Sequence, residues 1–255
     1  GSSRMIPRME AEVYERMARL ENRHWWFRGR RRILSHLLRR FTTPDRPVRI
    51  LEAGCGTGGN LEMLAAFGEV KAFEPEASAR IHARRTGFEV QEGRLPAEHP
   101  FAGECFDLIL LADVLEHVEE DGPSLTALGK CLAEGGNLLL TVPACPFLWS
   151  RHDELHRHYR RYRKAELRDL LEDAGLEIRL LHYYNFWFFP VVALVRRLRL
   201  GPGGARSDET HLPAKPLNRL AEAVFASERH FLLRTGFPVG VSLVAVAGRP
   251  ARNPS

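Results

Sequence analysis

Three glycines at alternate positions, Gly54, Gly56 and Gly58, follow the apolar segment at residues 48–53. Glycine is costly inside a strand or helix, but it lets the backbone turn sharply and lets a ligand come close. A glycine loop that joins a strand to a helix points helix N–H groups at a nucleotide-type ligand. Glu74 comes 20 residues after Gly54, where a carboxylate can accept hydrogen bonds from both ribose hydroxyls. Together these features predict a site for a cofactor that carries adenosine.

A second set of chemistry-bearing residues occupies the segment 151–164. Histidine titrates near neutral pH, and arginine binds carboxylates and phosphates through paired hydrogen bonds. Such density on a loop, away from a periodic helix face, favours a site over packing. We interpret His152 and His156 as candidate general bases, and Arg160 and Arg161 as a clamp for an anionic group.

A third set, Asp113, Glu116 and His117, follows the predicted fourth strand. Two carboxylates and an imidazole suit a divalent ion that orients and acidifies a hydroxyl group. The same residues can instead cap a helix or pack against the loop, and this structural interpretation is the stronger one. The favoured prediction is therefore that no metal is bound, with His117 a further candidate catalytic residue.

The elements that must position these residues alternate along the chain from residue 48. Apolar runs predict strands at 48–54, 69–75, 88–93, 106–115, 137–144, 176–184 and 239–248. Helical spacing and glycine stops predict helices at 58–67, 76–87, 124–136, 164–175 and 217–234. This βαβ spacing predicts an α/β fold with an open, mainly parallel sheet and helices on both faces.

Four units are predicted along the chain. Two amphipathic segments, 9–23 and 24–38, precede the sheet, and an apolar, then basic segment interrupts it before the last strand. The predicted units are a helical lid at 4–40, a core at 41–183, a helical insertion at 184–236 and a terminal strand at 237–249. Residues 42–47 and 201–216, rich in proline, glycine or polar residues, are predicted loops.

Composition narrows the class of protein. The chain has 255 residues and a net charge of +5, with basic clusters at 28–32, 151–164 and 196–199 that suit phosphates, nucleic acid or an anionic membrane. The apolar stretch 186–195 is too short to span a bilayer, which takes roughly 20 apolar residues. None of the four cysteines forms a C-x-x-C pair, and the charged N-terminal region resembles no signal peptide, so a cytoplasmic protein is expected.

The segment LEAGCGTG, residues 51–58, resembles motif I of the class I S-adenosylmethionine (SAM) dependent methyltransferases. The resemblance continues through FDLILLADVLEHV, LAEGGNLLLTVP, AELRDLLEDAGLEI and VGVSLVAVAG. It implies a Rossmann-like sheet of seven strands whose last strand is antiparallel, with SAM as the cofactor. The positions it implies for cofactor binding are Glu52, Gly54, Cys55, Gly56, Gly58, Glu74, Pro75, Gly93, Arg94, Leu95, Ala112 and Asp113. The acid that the family usually places near the adenine has only Glu92 as a counterpart here.

Outside the core, HWWFRGRRRIL and LWSRHDELHRHYRRY resemble a bacterial subgroup of these enzymes, of the type found in ubiquinone biosynthesis. The D-x-x-E-H pattern at 113–117 is similar to the E-x-x-E-H metal motif of ubiquinone-biosynthesis O-methyltransferases and small-RNA 3′-end methyltransferases. Trp25, Trp26 and Phe27 are expected to form part of a lid over the cofactor cleft, to attach the N-terminal helices to the sheet, or both. The predicted substrate-binding residues are Trp25, Trp26, Phe27, Tyr159, Arg160, Arg161, Tyr184 and Trp187.

The favoured prediction is a SAM-dependent methyltransferase that O-methylates a small or lipid-linked acceptor bearing an anionic group. A metal-dependent RNA methyltransferase and a non-catalytic SAM-binding partner protein are the alternatives. The aromatic and basic segment at 186–199 favours a substrate pocket, a peripheral contact with the inner face of the membrane or a homodimer contact. No DNA is expected as a partner.

Overall fold

The computed structural model describes residues 6–42, 48–197 and 212–250, with the main chain alone described for 6–13. Most of the two predicted loops, at 43–47 and 201–211, lies outside the described residues. Among the described residues, no helix has both the length and the apolar character needed to cross a membrane.

Seven strands form one sheet in the order β3-β2-β1-β4-β5-β7-β6. They are β1 (Val48–Ala53), β2 (Gly68–Phe73), β3 (Val90–Gln91), β4 (Phe106–Ala112), β5 (Leu132–Pro143), β6 (Glu177–Tyr184) and β7 (Ser242–Gly248). β7 runs antiparallel to both of its neighbours, and the other neighbouring pairs are parallel. The predicted Rossmann-like fold with an antiparallel last strand is confirmed.

Helices pack around this sheet. They are α1 (Ile6–Glu21), α2 (Trp25–Phe41), α3 (Leu61–Ala65), α4 (Ala77–Arg84), α5 (Asp121–Lys130), α6 (Arg151–Leu155), α7 (Lys164–Asp173), α8 (Phe189–Arg197), α9 (Lys215–Ser227) and α10 (Arg229–Leu232). Short 3₁₀ turns follow β4 at Leu115–His117 and β5 at Pro146–Leu148. α1 and α2 precede the sheet, and α8 to α10 lie between β6 and β7, as the helical patterns predict.

The core lies on both faces of the central strands. Residues 108–111 of β4 are all fully buried, as expected for a parallel strand that is covered on each face. On one face, α2 packs Ile33, Leu34 and Leu37 against the sheet together with Phe225 of α9. These positions recur at helical spacing, so the amphipathic pattern of the sequence is sufficient to dock α2.

The boundary between α5 and β5 differs from the prediction. The helix predicted to reach residue 136 ends at Lys130, and β5 begins at Leu132, five residues before the predicted strand. Phe106 N donates to Cys131 O at 2.8 Å, and Phe106 pairs with Leu132 in the sheet. The backbone groups that would extend the helix are therefore bonded to β4 instead. Tertiary pairing overrides local helix propensity here.

The helix predicted at 217–234 is divided at Glu228. α9 ends at Ser227 and α10 begins at Arg229. The buried Glu228 carboxylate accepts hydrogen bonds from the backbone N–H groups of Asn185, Phe186 and Trp187, at 2.6, 2.8 and 3.1 Å. This contact ties the end of β6 to the insertion, and the break in the helix allows it.

Candidate active site

The glycine loop follows β1 and ends at α3. Gly54 N donates to Phe73 O at 2.9 Å, which anchors the loop to β2. Gly54, Gly56 and Gly58 have φ angles of 73°, 55° and 90°, a region that disfavours other residues. A Cβ at Gly54 would lie 2.8 Å from the Val114 side chain, whereas one at Gly56 would meet no heavy atom of the described residues within 4 Å. A ligand can therefore approach the main chain at Gly56.

Glu74 lies beside this open position, directly after β2. Its Oε2 accepts a hydrogen bond from Gly56 N at 2.9 Å, and its Oε1 accepts one from Glu76 N at 3.0 Å. Burial raises the pKa of Glu74, against the lowering effect of these two backbone bonds. A carboxylate has about four acceptor sites, so Glu74 retains capacity for ribose hydroxyls.

Arg80 of α4 fixes the ends of β2 and β3. The buried Arg80 guanidinium donates to Glu74 O at 2.8 Å, to Pro75 O at 2.6 Å and to the Glu92 carboxylate at 2.8 Å. Glu92, the acid that the sequence suggests as the adenine-binding residue, is thus hydrogen-bonded to Arg80. Sequence reasoning missed Arg80, because its position on an amphipathic helix gives no sign that its side chain is buried.

The segment predicted to flank the adenine follows β3. A Cβ at Gly93 would lie 2.4 Å from Pro100 Cδ, so close packing requires glycine there. Arg94 N donates to Glu98 O at 3.1 Å, which closes a short turn, and Leu95 is buried beneath it. These residues follow β3, which pairs with β2, the strand before Glu74, and their contact with adenine stays a prediction.

Glu52, at the end of β1, lies under the glycine loop. Asn60 Nδ2 donates to Glu52 Oε1 at 2.8 Å, and among the described residues Glu52 Oε2 has no hydrogen-bond partner. Cys55, also buried, lies in the same loop, and burial raises the pKa of its thiol. Burial likewise raises the pKa of Glu52 to about 8, so its carboxyl group is largely protonated at neutral pH.

Glu52 should make stability depend on pH. The folded state holds a proton that the unfolded chain releases above its own pKa of about 4.3, so stability falls as pH rises from there to about 8. We expect Glu52→Gln to reduce the change in the free energy of unfolding over this pH range by a few kcal/mol. Each unit of difference between the folded and unfolded pKa values contributes at most about 1.4 kcal/mol. Urea unfolding between those pH values measures it. An unchanged pH profile would contradict a protonated Glu52.

α1 and α2 contact the site through Glu21 and Arg30. The buried Glu21 carboxylate accepts a hydrogen bond from Thr57 Oγ1 at 2.6 Å. The buried Arg30, from α2, forms an ion pair with the partly buried Asp113, and Asp113 Oδ1 accepts a hydrogen bond from Thr141 Oγ1 at 3.0 Å. Within the described residues, Arg30 Nε has no hydrogen-bond partner. The sequence marked Asp113 and, within the basic cluster at 28–32, Arg30, but it did not mark Glu21. Only the docking of α1 and α2 brings Arg30 and Glu21 to the site.

The aromatic residues of α2 divide between two roles. The Arg30 guanidinium lies 4.7 Å from the ring centroid of Trp26, and Phe27 is buried edge-on to Trp26. The Trp25 ring instead packs 4.7 Å from Phe188. Trp26 and Phe27 therefore lie beside the Arg30–Asp113 pair, while Trp25 attaches α2 to the insertion.

Two further predicted substrate residues lie in different environments. Tyr184 is buried at the end of β6, and burial, followed by the charge of Asp113, raises the pKa of its hydroxyl. It lies with Ala112, at the end of β4, on the face of the sheet that α2 covers. Trp187 is 42% exposed and packs against Phe231 and Phe237, so it belongs to the surface of the insertion.

Four histidines meet beside the ends of β4 and β5. The ring centroids of His152 and His156 are 4.3 Å apart, and those of His117 and His158 are 4.6 Å apart. Burial, followed by the charge of His158, lowers the pKa of His117 to about 4. Burial, followed by the charge of His156, lowers the pKa of His152 to about 3. Both of these predicted bases are neutral at neutral pH and are weak proton acceptors.

Asp153 organises this histidine cluster (His117, His152, His156 and His158). It is fully buried, accepts a hydrogen bond from Arg161 Nε at 2.7 Å and lies 3.0 Å from His158 Nδ1. Burial raises its pKa, but the hydrogen bond from His158 and the charge of Arg161 hold that pKa well below its usual range. An ionised Asp153 only accepts, so Nδ1 of His158 carries the proton and Nε2 is left as the acceptor.

The two arginines of the predicted anion clamp are engaged within the fold. Arg161 is buried and also donates to Ala144 O at 2.9 Å, while Arg160 pairs with Asp121 at 2.6 Å and donates to Glu119 O. Tyr159, beside Arg160, is 54% exposed. Both guanidiniums are therefore engaged within the fold, and their contact with an acceptor stays a prediction.

One group of side chains has the composition of a metal site. Ligand atoms of Glu116, His117 and His158 all lie within 4.8 Å of one another. Glu116 is buried, its Oε2 has no hydrogen-bond partner among the described residues, and burial and then the charge of Asp113 raise its pKa. The structure thus joins His158, and not Asp113, to the predicted pair Glu116 and His117. A carboxylate behind an imidazole, as Asp153 is behind His158, is a common arrangement at metal centres.

Comparison with known proteins gives the family. Residues 25–181 match the family model described as a methyltransferase domain. The chain belongs to the class I SAM-dependent methyltransferases. A protein of Mycolicibacterium smegmatis named "Probable S-adenosylmethionine-dependent methyltransferase" is 28% identical over 164 residues, which are 62% of this chain and 62% of that protein. A ubiquinone biosynthesis O-methyltransferase of Dinoroseobacter shibae is 32% identical over 153 residues, 52% of this chain and 62% of that one.

The chain therefore spans about three fifths of the length of these relatives. Among solved structures, the [4+2]-cyclase SpnF aligns over 98% of both chains with a TM-score of 0.60 and 19% identity. That similarity shows the methyltransferase fold alone. The family's cofactor is SAM, and the residues here fit it. The space beside the α-carbon of Gly56 is open among the described residues, and the Glu74 carboxylate lies next to Gly56.

Proposed function

We propose that this methyltransferase-family chain transfers the methyl group of SAM to a hydroxyl oxygen of a small or lipid-linked acceptor that bears an anionic group. When bound, SAM supplies an electrophilic methyl group on a sulfonium. The protein must then position the acceptor and remove its proton, because an alcohol or phenol is a poor nucleophile while protonated. The histidine cluster beside the ends of β4 and β5 is the observation that carries this proposal.

His158 is the proposed proton acceptor. Its Nδ1 is held by Asp153, which fixes the ring and stabilises the imidazolium that forms when Nε2 takes a proton. His117 and His152, with pKa values of about 4 and 3, accept protons less readily. Sequence reasoning placed the base at His152, His156 or His117, and the carboxylate partner is what favours His158 instead.

A divalent metal ion is a second candidate at the same place, favoured by the spacing of Glu116, His117 and His158. Neutral imidazoles and a carboxylate are suitable ligands for zinc, iron or manganese. The ion would lower the pKa of a bound hydroxyl group. In that case His158 serves as a ligand, and the base is not required at its Nε2.

Arg30 supports an anionic acceptor. It is a buried cation that already pairs with Asp113, and its Nε–H has no hydrogen-bond partner among the described residues, which leaves one donor for a further acceptor. A lipid-linked acceptor is supported by the exposed Val191 and Leu194 of α8 and by the exposed aromatic residues Phe147 and Trp149 after β5. Such an acceptor implies a peripheral contact with a membrane, which forms part of the proposal.

Calorimetric titration with SAM, followed by transfer of a labelled methyl group to bacterial lipid and aqueous extracts, tests the proposal. We expect Glu74→Gln to weaken SAM binding by about 10- to 100-fold, the loss of charged hydrogen bonds to ribose. His158→Gln should keep SAM affinity and lose transfer. Failure of the wild-type protein to bind SAM would overturn the proposal. Transfer that a chelator abolishes and added Zn²⁺ or Mn²⁺ restores would favour the metal alternative, and transfer unaffected by chelation would favour the base.

A further inference from the structure

Large apolar side chains are exposed on one face of the insertion and the loop after β5. Phe147 is 72% exposed, Val191 60% and Leu194 57%. Trp149, two residues after Phe147, is also exposed. A soluble surface carries isolated exposed apolar residues, but a cluster of this kind marks an interaction site. We call Phe147, Trp149, Val191 and Leu194 the apolar ridge.

The contacts beneath the ridge show that its parts are adjacent. α8 directs Phe189, Val192 and Ala193 toward the core, so Val191 and Leu194 face outward. The Phe147 ring lies 6.4 Å from the Phe189 ring, edge-on. The start of α8 and the turn that carries Phe147 therefore form one continuous surface.

The ridge is coupled to the histidine cluster through Arg196. This residue, two positions after Leu194, donates to Leu148 O at 2.6 Å and lies 3.7 Å from Asp153 Oδ2. Asp153 in turn holds His158. The exposed apolar surface is thus separated from the proposed proton acceptor by two side chains.

Charges beside the ridge indicate the partner. Arg151 follows Trp149 by two residues, Arg197 follows Leu194 by three, and both are exposed. Glu154, on the same helix as Arg151, is the exposed acid of that turn. Apolar and aromatic side chains bordered by arginines are the composition of a surface that enters the headgroup region of an anionic bilayer.

We propose that the apolar ridge docks on a membrane with anionic lipids and places the histidine cluster at the headgroup level. The inference deepens the proposed function, because a membrane-bound acceptor would then reach the site from the bilayer. Docking itself depends only on the surface, so it is measurable without any acceptor. A second copy of the chain is the rival occupant of an apolar surface of this kind.

Flotation with vesicles tests the docking. We expect the wild-type protein to bind vesicles of phosphatidylcholine and phosphatidylglycerol, and to bind phosphatidylcholine alone much less. Trp149→Ser combined with Leu194→Ser should lower partitioning by at least about tenfold, through loss of buried apolar surface. Arg151→Gln with Arg197→Gln should lower binding to the anionic vesicles only, and salt should have the same effect.

Ile81→Ser is the matched control, because Ile81 is 55% exposed on α4, among elements at the other end of the sheet. It should leave vesicle binding unchanged. Equal loss with Ile81→Ser, no binding by the wild type, or a dimer that the double apolar variant dissociates would each overturn the inference. Calorimetric SAM affinity of the same samples reports the proposed function separately, and we expect every variant to retain it.

Discussion

Asp153→Asn should destabilise the protein by about 3–5 kcal/mol, the cost of leaving a buried charge without its partner. Asp153 is fully buried and meets Arg161 at 2.7 Å, His158 at 3.0 Å and the backbone N–H of Ser150 at 2.9 Å. An amide can replace some of these acceptors but carries no charge to balance the Arg161 guanidinium, which is itself buried. Urea unfolding at neutral pH measures the loss, and Glu154→Gln, on the exposed side of the same helix, is the matched control.

A double-mutant cycle separates the charge effect from packing. Arg161→Gln alone leaves Asp153 with weaker compensation and should also cost several kcal/mol. The double variant should cost less than the sum of the two, because neither unpaired charge remains. Additive costs would show that Asp153 and Arg161 stabilise the fold independently. Asp153→Asn should also lose methyl transfer while retaining SAM affinity, because the His158 ring loses its fixed orientation.

The proposed cofactor half of the site could be predicted from the sequence, because its residues lie within one short βαβ segment. Gly54, Gly56 and Gly58 follow one strand directly, and Glu74 follows the next, so the βαβ connection fixes their relation before any long-range contact is known. Alternation of strands and helices likewise predicts the sheet. The early start of β5 was not predictable, because pairing with Phe106 decides it and local propensity does not.

The proposed acceptor half of the site depends on contacts between distant segments. Arg30 comes 83 positions before Asp113 in the chain, and it reaches that residue only when α2 docks on the sheet. His158 joins Glu116 and His117 only because the loop after β5 folds back, with Tyr159 N donating to Glu116 O at 2.7 Å. The sequence shows that this loop is rich in histidine and arginine. It does not show which histidine Asp153 will hold or that both arginines will be engaged.

Gly56→Val should weaken SAM binding by at least about 100-fold, or roughly 2.7 kcal/mol. Gly56 has a positive φ of 55°, its amide donates to Glu74, and its α-carbon faces open space. A valine there would add bulk on the face where SAM is proposed to approach, and would shift the amide that orients the Glu74 carboxylate, the proposed ribose acceptor. Calorimetric titration with SAM measures the affinity of the folded variant.

Gly87→Val is the control that isolates the ligand from the backbone. Gly87 has a positive φ of 90°, and a Cβ there would also meet no heavy atom of the described residues within 4 Å. Both substitutions force a branched residue into a left-handed conformation, so each should lower the free energy of unfolding by roughly 1–3 kcal/mol. Gly87, after α4, does not border the site, so Gly87→Val should keep wild-type affinity for SAM. If both variants lose SAM binding equally, backbone strain explains the loss, and the open face of Gly56 is not where the cofactor lies.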